Sequence, residues 1–390
     1  MRLAVIVHRY SDEVAGGAEK LAHGFAQAAA QRGWTIEVWT TCARSHYSWE
    51  NFFPAGASEI NRALVRRFPV THWDHFHRAQ LEFRLTLLGT LPFDEQLAWL
   101  ETGAHSAPLY RHIRAHASEF DALIVLPYAM PLAHYAVWCA PNRAIVLPCL
   151  HDEAYAYLQV TRLLMENARG VIFNSPEERD LALCKLKIQP QRFAVMGAGV
   201  ELPALDLPRD ASRRDLVYVG RLEHGKNTHL LYQYVQRYFE AGGDIRLIVL
   251  GDGPVRPPAH PAFEYRGFVS EADKARACAD ALAICQPSVN ESFSFTIMEA
   301  WVCQRPVLVH HDCAVTQAQV RRCDGGLWFR DYEEFVGALE WLARNPERAK
   351  RMGANGADFV RANFTWDVVL DRFARIFAAW QNSNGAARRA

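Results

Sequence analysis

The chain has 390 residues, of which half are apolar and 22% are charged; this is an ordinary composition for a water-soluble protein, and the length favours two domains because a single core seldom grows past ~250 residues. The 43 basic residues balance the 43 acidic ones, so no net charge attracts nucleic acid or an anionic membrane. The nine cysteines form no C-x-x-C pair, the N-terminal MRLAVIVHRY is too short in apolar residues for a signal peptide, and no run is long enough to span a bilayer. We therefore expect a cytoplasmic protein, at most bound to the inner face of a membrane.

Short apolar runs that predict strands alternate with helical patterns along the chain. The predicted strands are Leu3–His8, Thr35–Thr41, Ala122–Leu126, Ala144–Pro148, Gly170–Asn174, Phe193–Met196, Leu216–Gly220, Ile245–Gly251, Phe263–Arg266, Ala281–Cys285 and Pro306–Val309. The predicted helices between them include Ala18–Gln31, Ser106–Glu119, Glu177–Lys185, Leu230–Glu240 and Glu333–Arg344. Strands flanked by helices predict an α/β fold with parallel sheets covered on both faces.

The composition changes at Glu201–Arg214, which is rich in proline and charge and has no periodicity. This segment is typical of a linker and predicts two doubly wound domains of similar size. The last segment, Phe364–Gln381, predicts a helix with an aromatic face formed by Trp366, Phe373, Phe377 and Trp380. Residues 44–100 break the alternation, and no strand is predicted there.

In sheets of this kind, ligands collect at the carboxyl ends of the strands, and five segments at such ends carry candidate site residues. Gly17 lies in VHRYSDEVAGGAEKLA, where paired glycines before a helix favour an anion or form only a flexible loop. His151 follows the strand of VLPCLHDEAY and suits either a substrate hydroxyl or a structural role. Arg221 and Lys226 in GRLEHGKN suit a diphosphate, although two basic residues in a loop are usually solvated. VLGDGP and RGFV bring backbone close to a ligand such as a planar base, at Gly267, Phe268 and Val269.

The segment NESFSFTIMEAW places two carboxylates, Glu291 and Glu299, eight positions apart around a predicted helix start near Ser294. The free N–H groups at a helix start suit an anion or hydroxyl groups. A carboxylate accepts two hydrogen bonds side by side and therefore matches a vicinal diol such as a ribose. The alternative is a surface glutamate and a mid-helix glutamate, which the apolar surroundings of Glu299 disfavour because an unpaired charge there is costly. Two carboxylates and two cations together describe a site for a sugar nucleotide.

The motifs GRLEHGKN, VLGDGP, RGFV, PSVNESFSFTIMEAW and RPVLV follow one another as in glycosyltransferase family 4, which this chain resembles over most of Leu216–Trp328. The resemblance implies a GT-B fold: two Rossmann-like domains facing across a cleft, with the last helix returning to the first. The domains would be 1–204 for the acceptor, together with the helix 364–382, and 215–363 for the sugar nucleotide, joined by a linker over 201–214. The resemblance also implies a retaining transfer of a sugar from a nucleoside diphosphate to a glycan or polyprenyl-linked saccharide, for example in bacterial surface polysaccharide synthesis.

By the same resemblance, Glu299 holds the ribose and Glu291 holds the donor sugar, helped by the backbone of Ser292, Phe293 and Ser294. Ser294 stands where the family usually has glycine. Arg221 and Lys226 stabilise the leaving diphosphate, and His151 is the histidine of the first domain. We expect no metal cofactor, because the chain contains no Asp-x-Asp pair and the two cations can replace a metal.

Two other segments are rich in histidine and could be interpreted as zinc sites. Neither has a cysteine partner or an H-E-x-x-H motif, so we disfavour zinc there. One carries His72, Asp74, His75 and His77, and the other His112 and His116. We prefer an acceptor groove for Trp49–Arg78. Two rival functions remain: a non-catalytic sugar-nucleotide-binding subunit, which the intact site residues disfavour, and a sugar-nucleotide epimerase or hydrolase. The base, the sugar, the acceptor and the linkage do not follow from the sequence.

Overall fold

The computed structural model describes residues 1–11, 16–202 and 215–387. The described chain divides into two compact units, one made from Met1–Gly199 with Trp366–Ala390 and one made from Val200–Thr365. Each unit contains a mainly parallel sheet with helices between most of its strands, so the predicted pair of Rossmann-like domains is confirmed. Within the predicted linker, residues 203–214 lie outside the described residues, and the exact domain limits stay a prediction.

The first unit contains an eight-stranded sheet in the order β3-β4-β2-β1-β5-β6-β7-β8, parallel except for the β3–β4 pair. Its strands are β1 (Arg2–Ile6), β2 (Thr35–Thr41), β3 (Gly56–Ile60), β4 (Ala63–Phe68), β5 (Ala122–Val125), β6 (Ala144–Val146), β7 (Gly170–Phe173) and β8 (Phe193–Val195). Its helices are α1 (Gly17–Gln31), α2 (His75–Leu88), α3 (Phe93–Glu101), α4 (Ala107–His116), α5 (Pro131–Cys139), α6 (Gln159–Asn167) and α7 (Pro176–Asp180), which continues as a π-helix over Leu181–Lys185. The central strands are buried on both faces, which explains their continuous apolar runs.

The region 44–100, for which no strand was expected, contains β3, β4, α2 and α3. The expectation was wrong because these elements are weakly apolar: β3 is an exposed edge strand with the sequence GASEI, and β4 alternates buried and half-buried residues. A strand with exposed faces needs no continuous apolar run, because such runs belong to strands that are buried on both faces.

The second unit contains a six-stranded parallel sheet in the order β11-β10-β9-β12-β13-β14. Its strands are β9 (Leu216–Val219), β10 (Leu247–Leu250), β11 (Phe263–Gly267), β12 (Ala283–Gln286), β13 (Val307–His310) and β14 (Gly326–Phe329). Its helices are α8 (Thr228–Glu240), α9 (Glu271–Asp280), α10 (Phe295–Val302), α11 (Ala314–Cys323), α12 (Tyr332–Arg344) and α13 (Pro346–Asn363). The strand order reverses between β9 and β12, and such a switch point is where doubly wound sheets bind ligands.

The last helix, α14 (Trp366–Ala387), belongs to the first unit and packs on α1. Phe373 meets Phe25 of α1 edge to face with ring centroids 5.2 Å apart, and Phe377 and Trp380 are also buried. The aromatic face predicted for this segment is therefore the face that covers the first unit. Among the described residues, no helix is both long enough and apolar enough to cross a bilayer.

Candidate active site

The switch point of the second sheet brings two predicted segments together. GRLEHGKN follows β9, and PSVNES follows β12, the neighbouring strand. Lys226 ends a single turn of 3-10 helix, and Asn227 after it adopts a left-handed conformation. The Asn227 amide donates to the carbonyl of Pro287 at 3.2 Å, which ties the two loops to each other.

The two loops place a predicted cation beside a predicted carboxylate. The ammonium of Lys226 lies 2.7 Å from Oε1 of Glu291, and the two side chains are 18% and 9% exposed. The pair is 65 positions apart in the chain and is made only by the adjacency of β9 and β12. It neutralises a buried carboxylate and keeps a lysine at the mouth of the site.

Arg221 pairs with a different carboxylate from Lys226. The guanidinium of Arg221 pairs with Glu223 at 3.1 Å and its side chain is 45% exposed. The backbone of Arg221 is held by the buried Tyr218, whose hydroxyl donates to the Arg221 carbonyl at 2.7 Å. Arg221 is thus an exposed cation on an anchored backbone, and Glu223 is a partner that the sequence patterns did not single out.

Glu299, the second predicted carboxylate, lies on α10 and pairs with Lys274 of α9 at 3.1 Å. Lys274 also contacts Glu271 at 2.6 Å, so its ammonium group pairs with two carboxylates. Glu299 is 20% exposed and remains accessible to a polar ligand. No local pattern singles out Lys274, because a lysine one turn into a helix is typical of a solvated residue.

The turn before α10 is built by unusual backbone. Ser294 is the N-cap residue with φ 69° and ψ 87°, in the left-handed region that favours glycine. Phe293 is buried and packs edge to face on Phe364 at 5.0 Å between ring centroids, while Ser292 is also buried. The predicted helix start near Ser294 is confirmed, with α10 beginning at Phe295.

The glycine motifs on the other side of β9 have clear steric reasons. A Cβ on Gly251 would lie 1.9 Å from the carbonyl oxygen of Gly220, so the strand ends of β9 and β10 meet too closely for a side chain. Gly267 ends β11 with φ 68°, and its carbonyl accepts from the N–H of Gly251 at 2.8 Å. Phe268 follows with 77% of its surface exposed, and Val269 is half-buried. An exposed ring on a fixed backbone is available to a planar ligand.

In the first unit, a buried charge cluster lies at the start of α1. Glu19 lies 2.9 Å from Nε2 of His8 and also pairs with Arg9; all three side chains are buried. Burial by itself would raise the pKa of Glu19, but His8, Arg9 and the local hydrogen bonds lower it to about 2. A Cβ on Gly16 would fall 2.1 Å from Glu19 Oε2, whereas one on the predicted Gly17 would meet nothing within 4 Å.

This cluster was not among the predicted site residues. Glu19 is the glutamate of the quoted AGGAE motif, and His8 and Arg9 directly follow β1, so the signal was present. The contact with Glu19 requires glycine at position 16, while the role of Gly17 in donor binding stays a prediction.

His151 lies after β6, 28% exposed, with Nδ1 3.8 Å from Glu153. The loop before it is held by the buried Glu178, which accepts the N–H groups of Leu150 at 2.6 Å and of Asn174 at 2.5 Å. Glu178 stands three residues after Ser175, and its backbone N–H donates to the Ser175 hydroxyl at 3.1 Å. Burial raises the pKa of the Glu178 carboxyl to about 8. The Ser-x-x-Glu spacing is the sequence signal that could have found it.

The two histidine-rich segments serve local structure. Asp74 caps α2 by accepting from the His77 N–H at 3.1 Å, and its other oxygen contacts the His77 ring at 2.6 Å. His112 packs edge to face on Trp39 with centroids 4.7 Å apart, and His116 contacts Glu119 at 2.6 Å. In the part of the chain that the structure describes, no three His, Cys, Asp or Glu side chains are grouped as metal ligands.

Residues 213–345, which contain the Lys226–Glu291 pair and the Lys274–Glu299 pair, match the family model described as glycosyl transferases group 1. The second unit therefore resembles a group 1 glycosyltransferase domain. The α-D-kanosaminyltransferase of Streptomyces kanamyceticus is 25% identical over 297 residues, which cover 68% of this chain and 76% of that protein. The D-inositol 3-phosphate glycosyltransferase of Segniliparus rotundus is 22% identical and covers 92% of this chain and 83% of that protein.

Solved structures extend the likeness of the glycosyltransferase fold to nearly the whole chain. Sucrose-phosphate synthase from Thermosynechococcus elongatus superposes with a TM-score of 0.72 at 17% identity and covers 98% of this chain and 99% of that one. Anabaena HepE, solved in complex with UDP-glucose, gives a TM-score of 0.69 at 14% identity, covering 97% and 100%. At such identities the match establishes the fold, which is the predicted GT-B class.

Proposed function

We propose that this chain transfers a sugar from a nucleoside-diphosphate sugar to a saccharide acceptor, with retention of configuration and without a metal ion. The observation that carries the proposal is the Lys226–Glu291 pair, 2.7 Å apart at the switch point of a group 1 glycosyltransferase domain. A cation and a carboxylate at this point match the two ends of a donor: a diphosphate and the hydroxyls of a sugar.

The proposed division of labour follows the chemistry of each group. Lys226 and the exposed Arg221 stabilise the charge that grows on the diphosphate as its bond to the anomeric carbon breaks. Glu291 accepts hydrogen bonds from the donor sugar, and Glu299 accepts them from the ribose. Binding of the donor replaces part of the Lys226–Glu291 pairing, so the lysine moves from one anion to another without becoming buried alone. His151, in the first unit, is proposed to contact the reacting sugar.

The acceptor is proposed to be a glycan or a polyprenyl-linked saccharide, and the pathway to be bacterial surface polysaccharide or a related glycan, with the protein cytoplasmic or at the inner face of the membrane. Support comes from the relatives, whose names include a kanosaminyltransferase and an inositol-phosphate glycosyltransferase. The first of these names gives a transferred sugar, and the second gives a hydroxyl-rich molecule, inositol 3-phosphate, that is glycosylated.

The first experiment screens donors. A thermal-shift series with UDP-, GDP-, ADP- and dTDP-sugars identifies the bound nucleotide, because a ligand at 100 times its Kd stabilises by about 2.7 kcal/mol. Product analysis with the selected donor then separates the rival functions. A new glycoside supports transfer, free sugar or an epimer without acceptor supports a hydrolase or epimerase, and binding without turnover across a panel of saccharide and polyprenyl-linked acceptors supports a non-catalytic subunit.

The second experiment tests the leaving-group role of Lys226. Lys226→Ala should lower kcat, and kcat/KM at least as much, by roughly 10²-fold or more, because the lost charge acts mainly in the transition state. Turnover of the unmodified protein should persist in excess EDTA. A higher KM at unchanged kcat, or activity that magnesium restores after EDTA, would return a metal ion as the source of leaving-group stabilisation.

A further inference from the structure

Ser294 combines two features that a folded protein normally avoids. Its backbone is left-handed, with φ 69° and ψ 87°, a conformation in which a side chain other than hydrogen is strained. Its hydroxyl is buried and has no hydrogen-bond partner, and the residue is only 5% exposed. Glycine would remove both penalties, so the hydroxyl is retained at a cost to stability. Strain and an orphaned polar group at a ligand site point to a function for the side chain.

Gln286 is a second buried polar side chain with an unpaired oxygen, and it lies on β12, the strand before this turn. It ends the otherwise apolar β12 and is 4% exposed. Its Nε2 donates to Glu291 Oε1 at 3.3 Å, while its own Oε1 is buried without a partner. A leucine or phenylalanine would suit a buried strand end better, so this amide too is explained by what it contacts rather than by the core.

Gln286 contacts Glu291, and Ser294 lies three residues after that carboxylate in the chain. Both donors that reach this carboxylate, Lys226 at 2.7 Å and Gln286 at 3.3 Å, contact Oε1. Within 1–11, 16–202 and 215–387, no donor is found on Oε2. Three oxygens are therefore left with hydrogen-bonding capacity beside one turn: Oε2 of Glu291, Oε1 of Gln286 and Oγ of Ser294.

We propose that Ser294 Oγ and Gln286 Oε1, with Glu291, select a donor sugar whose hydroxyls are free where they face this turn. Resting on the proposed transferase function, this inference names the substrate class: a nucleoside-diphosphate hexose rather than one deoxygenated or acylated at those positions. The carboxylate and the amide carbonyl only accept hydrogen bonds, so the ligand must supply O–H donors. A deoxy sugar leaves these oxygens unpaired, and sites built to bind a hydroxyl reject such analogues strongly.

The test crosses substrate analogues with variants. For the donor found by screening, kcat/KM is measured with the parent sugar and with each monodeoxy analogue. In the unmodified protein, removal of a hydroxyl that Ser294 or Gln286 binds should cost about 10- to 100-fold, the equivalent of one buried hydrogen bond. In Ser294→Gly, the ratio of kcat/KM between the parent sugar and one monodeoxy analogue should fall to nearly one, while the ratios for the other analogues stay unchanged. In Gln286→Met, which conserves volume, a second position should lose its penalty.

The matched control is Asp324→Gly. Asp324 is another left-handed residue of the second unit, with φ 50°, at the end of α11 and exposed. Both glycine variants should raise the melting temperature, because both relieve backbone strain, but only Ser294→Gly should change the analogue penalties. The glycine variant relieves strain, so loss of folding does not confuse the result.

The outcomes separate this inference from the function on which it rests. Transfer with unchanged penalties in Ser294→Gly and Gln286→Met would overturn the inference and leave the transferase intact. Absence of transfer from every nucleotide sugar by the unmodified protein would overturn the proposed function itself. Collapse of a single penalty in each variant would establish the two residues as specificity determinants.

Discussion

At the scale of single residues, the candidate site is a set of charge pairs, and the two glutamates, which pair with different lysines, are proposed to hold different parts of the donor. Glu299→Gln keeps the shape of the side chain and leaves Lys274 its second partner, Glu271, at 2.6 Å. The variant should fold normally and bind the free nucleoside diphosphate more weakly, since an amide is a poorer acceptor for a ribose diol than a carboxylate. Isothermal titration with the free nucleoside diphosphate measures this loss.

Glu291→Gln provides the comparison. It should leave nucleoside-diphosphate affinity nearly unchanged and lower turnover of the intact donor, because Glu291 is assigned to the sugar. Equal losses of nucleoside-diphosphate affinity in both variants would refute the division of roles.

Glu19 predicts a pH dependence of stability. Its pKa is lowered in the folded chain, from 4.5 to about 2, so the unfolded state binds the proton more readily. The stabilisation is present above pH 4.5 and is lost as the pH falls toward 2; the shift corresponds to about 3 kcal/mol. Urea unfolding between pH 5 and 2.5 should show this slope.

The control for that slope is Glu19→Gln, which should show less pH dependence in this range but a lower stability at neutral pH, because Arg9 stays buried without its carboxylate. A variant whose stability falls with pH as steeply as that of the unmodified protein would place the titrating group elsewhere.

At the scale of elements, the packing of α14 on the first unit depends on glycines. A Cβ on Gly24 of α1 would lie 2.2 Å from Cζ2 of Trp366, and one on Gly199 would lie 2.1 Å from Cδ2 of the same ring. Gly24→Ala should therefore destabilise by about 1–3 kcal/mol through overpacking, although alanine favours a helix. Calorimetry measures the fall in melting temperature.

Gly337 gives the matched control, because it lies in helix α12 and a Cβ there would meet nothing within 4 Å. Gly337→Ala should stabilise by about 0.5–1 kcal/mol from helix propensity alone. If both variants shifted the melting temperature in the same direction, the close contact with Trp366 would not be the cause.

At the scale of the whole molecule, the first unit is closed by a segment that follows the second unit in the chain. A chain ending at Thr365 would lose the buried Leu370, Phe373, Phe377 and Trp380. Each buried side chain of this size contributes about 1.5–3 kcal/mol, so the first unit should unfold or aggregate. Nucleoside-diphosphate binding by the second unit should survive, as measured by titration calorimetry.

The control chain ends at Gln381, beyond Trp380, and should melt as the full chain does. Unchanged melting of the chain ending at Thr365 would contradict the assignment of α14 to the first unit.

The central strands and the site segments could be predicted from sequence, because each must meet a physical requirement that leaves a recognisable local pattern. The central strands must be apolar throughout, since they are buried on both faces, and Thr35–Thr41 is predicted to the residue. Glycines at strand ends and a carboxylate inside an apolar helix mark their positions by themselves. Sequence therefore determined the fold class, the positions of most strands and the site segments that follow them.

The tertiary structure alone decided which residues meet. The Lys226–Glu291 pair depends on β9 lying beside β12, the Lys274–Glu299 pair on α9 lying beside α10, and the His8–Glu19 contact on how α1 returns over β1. Likewise the strain at Ser294 is visible only in its backbone angles, and the unpaired oxygen of Gln286 only in the surroundings of that side chain. Such contacts join residues through strand order and helix packing, and no local pattern contains that information, because periodicity describes which face of an element is buried and not which element covers it.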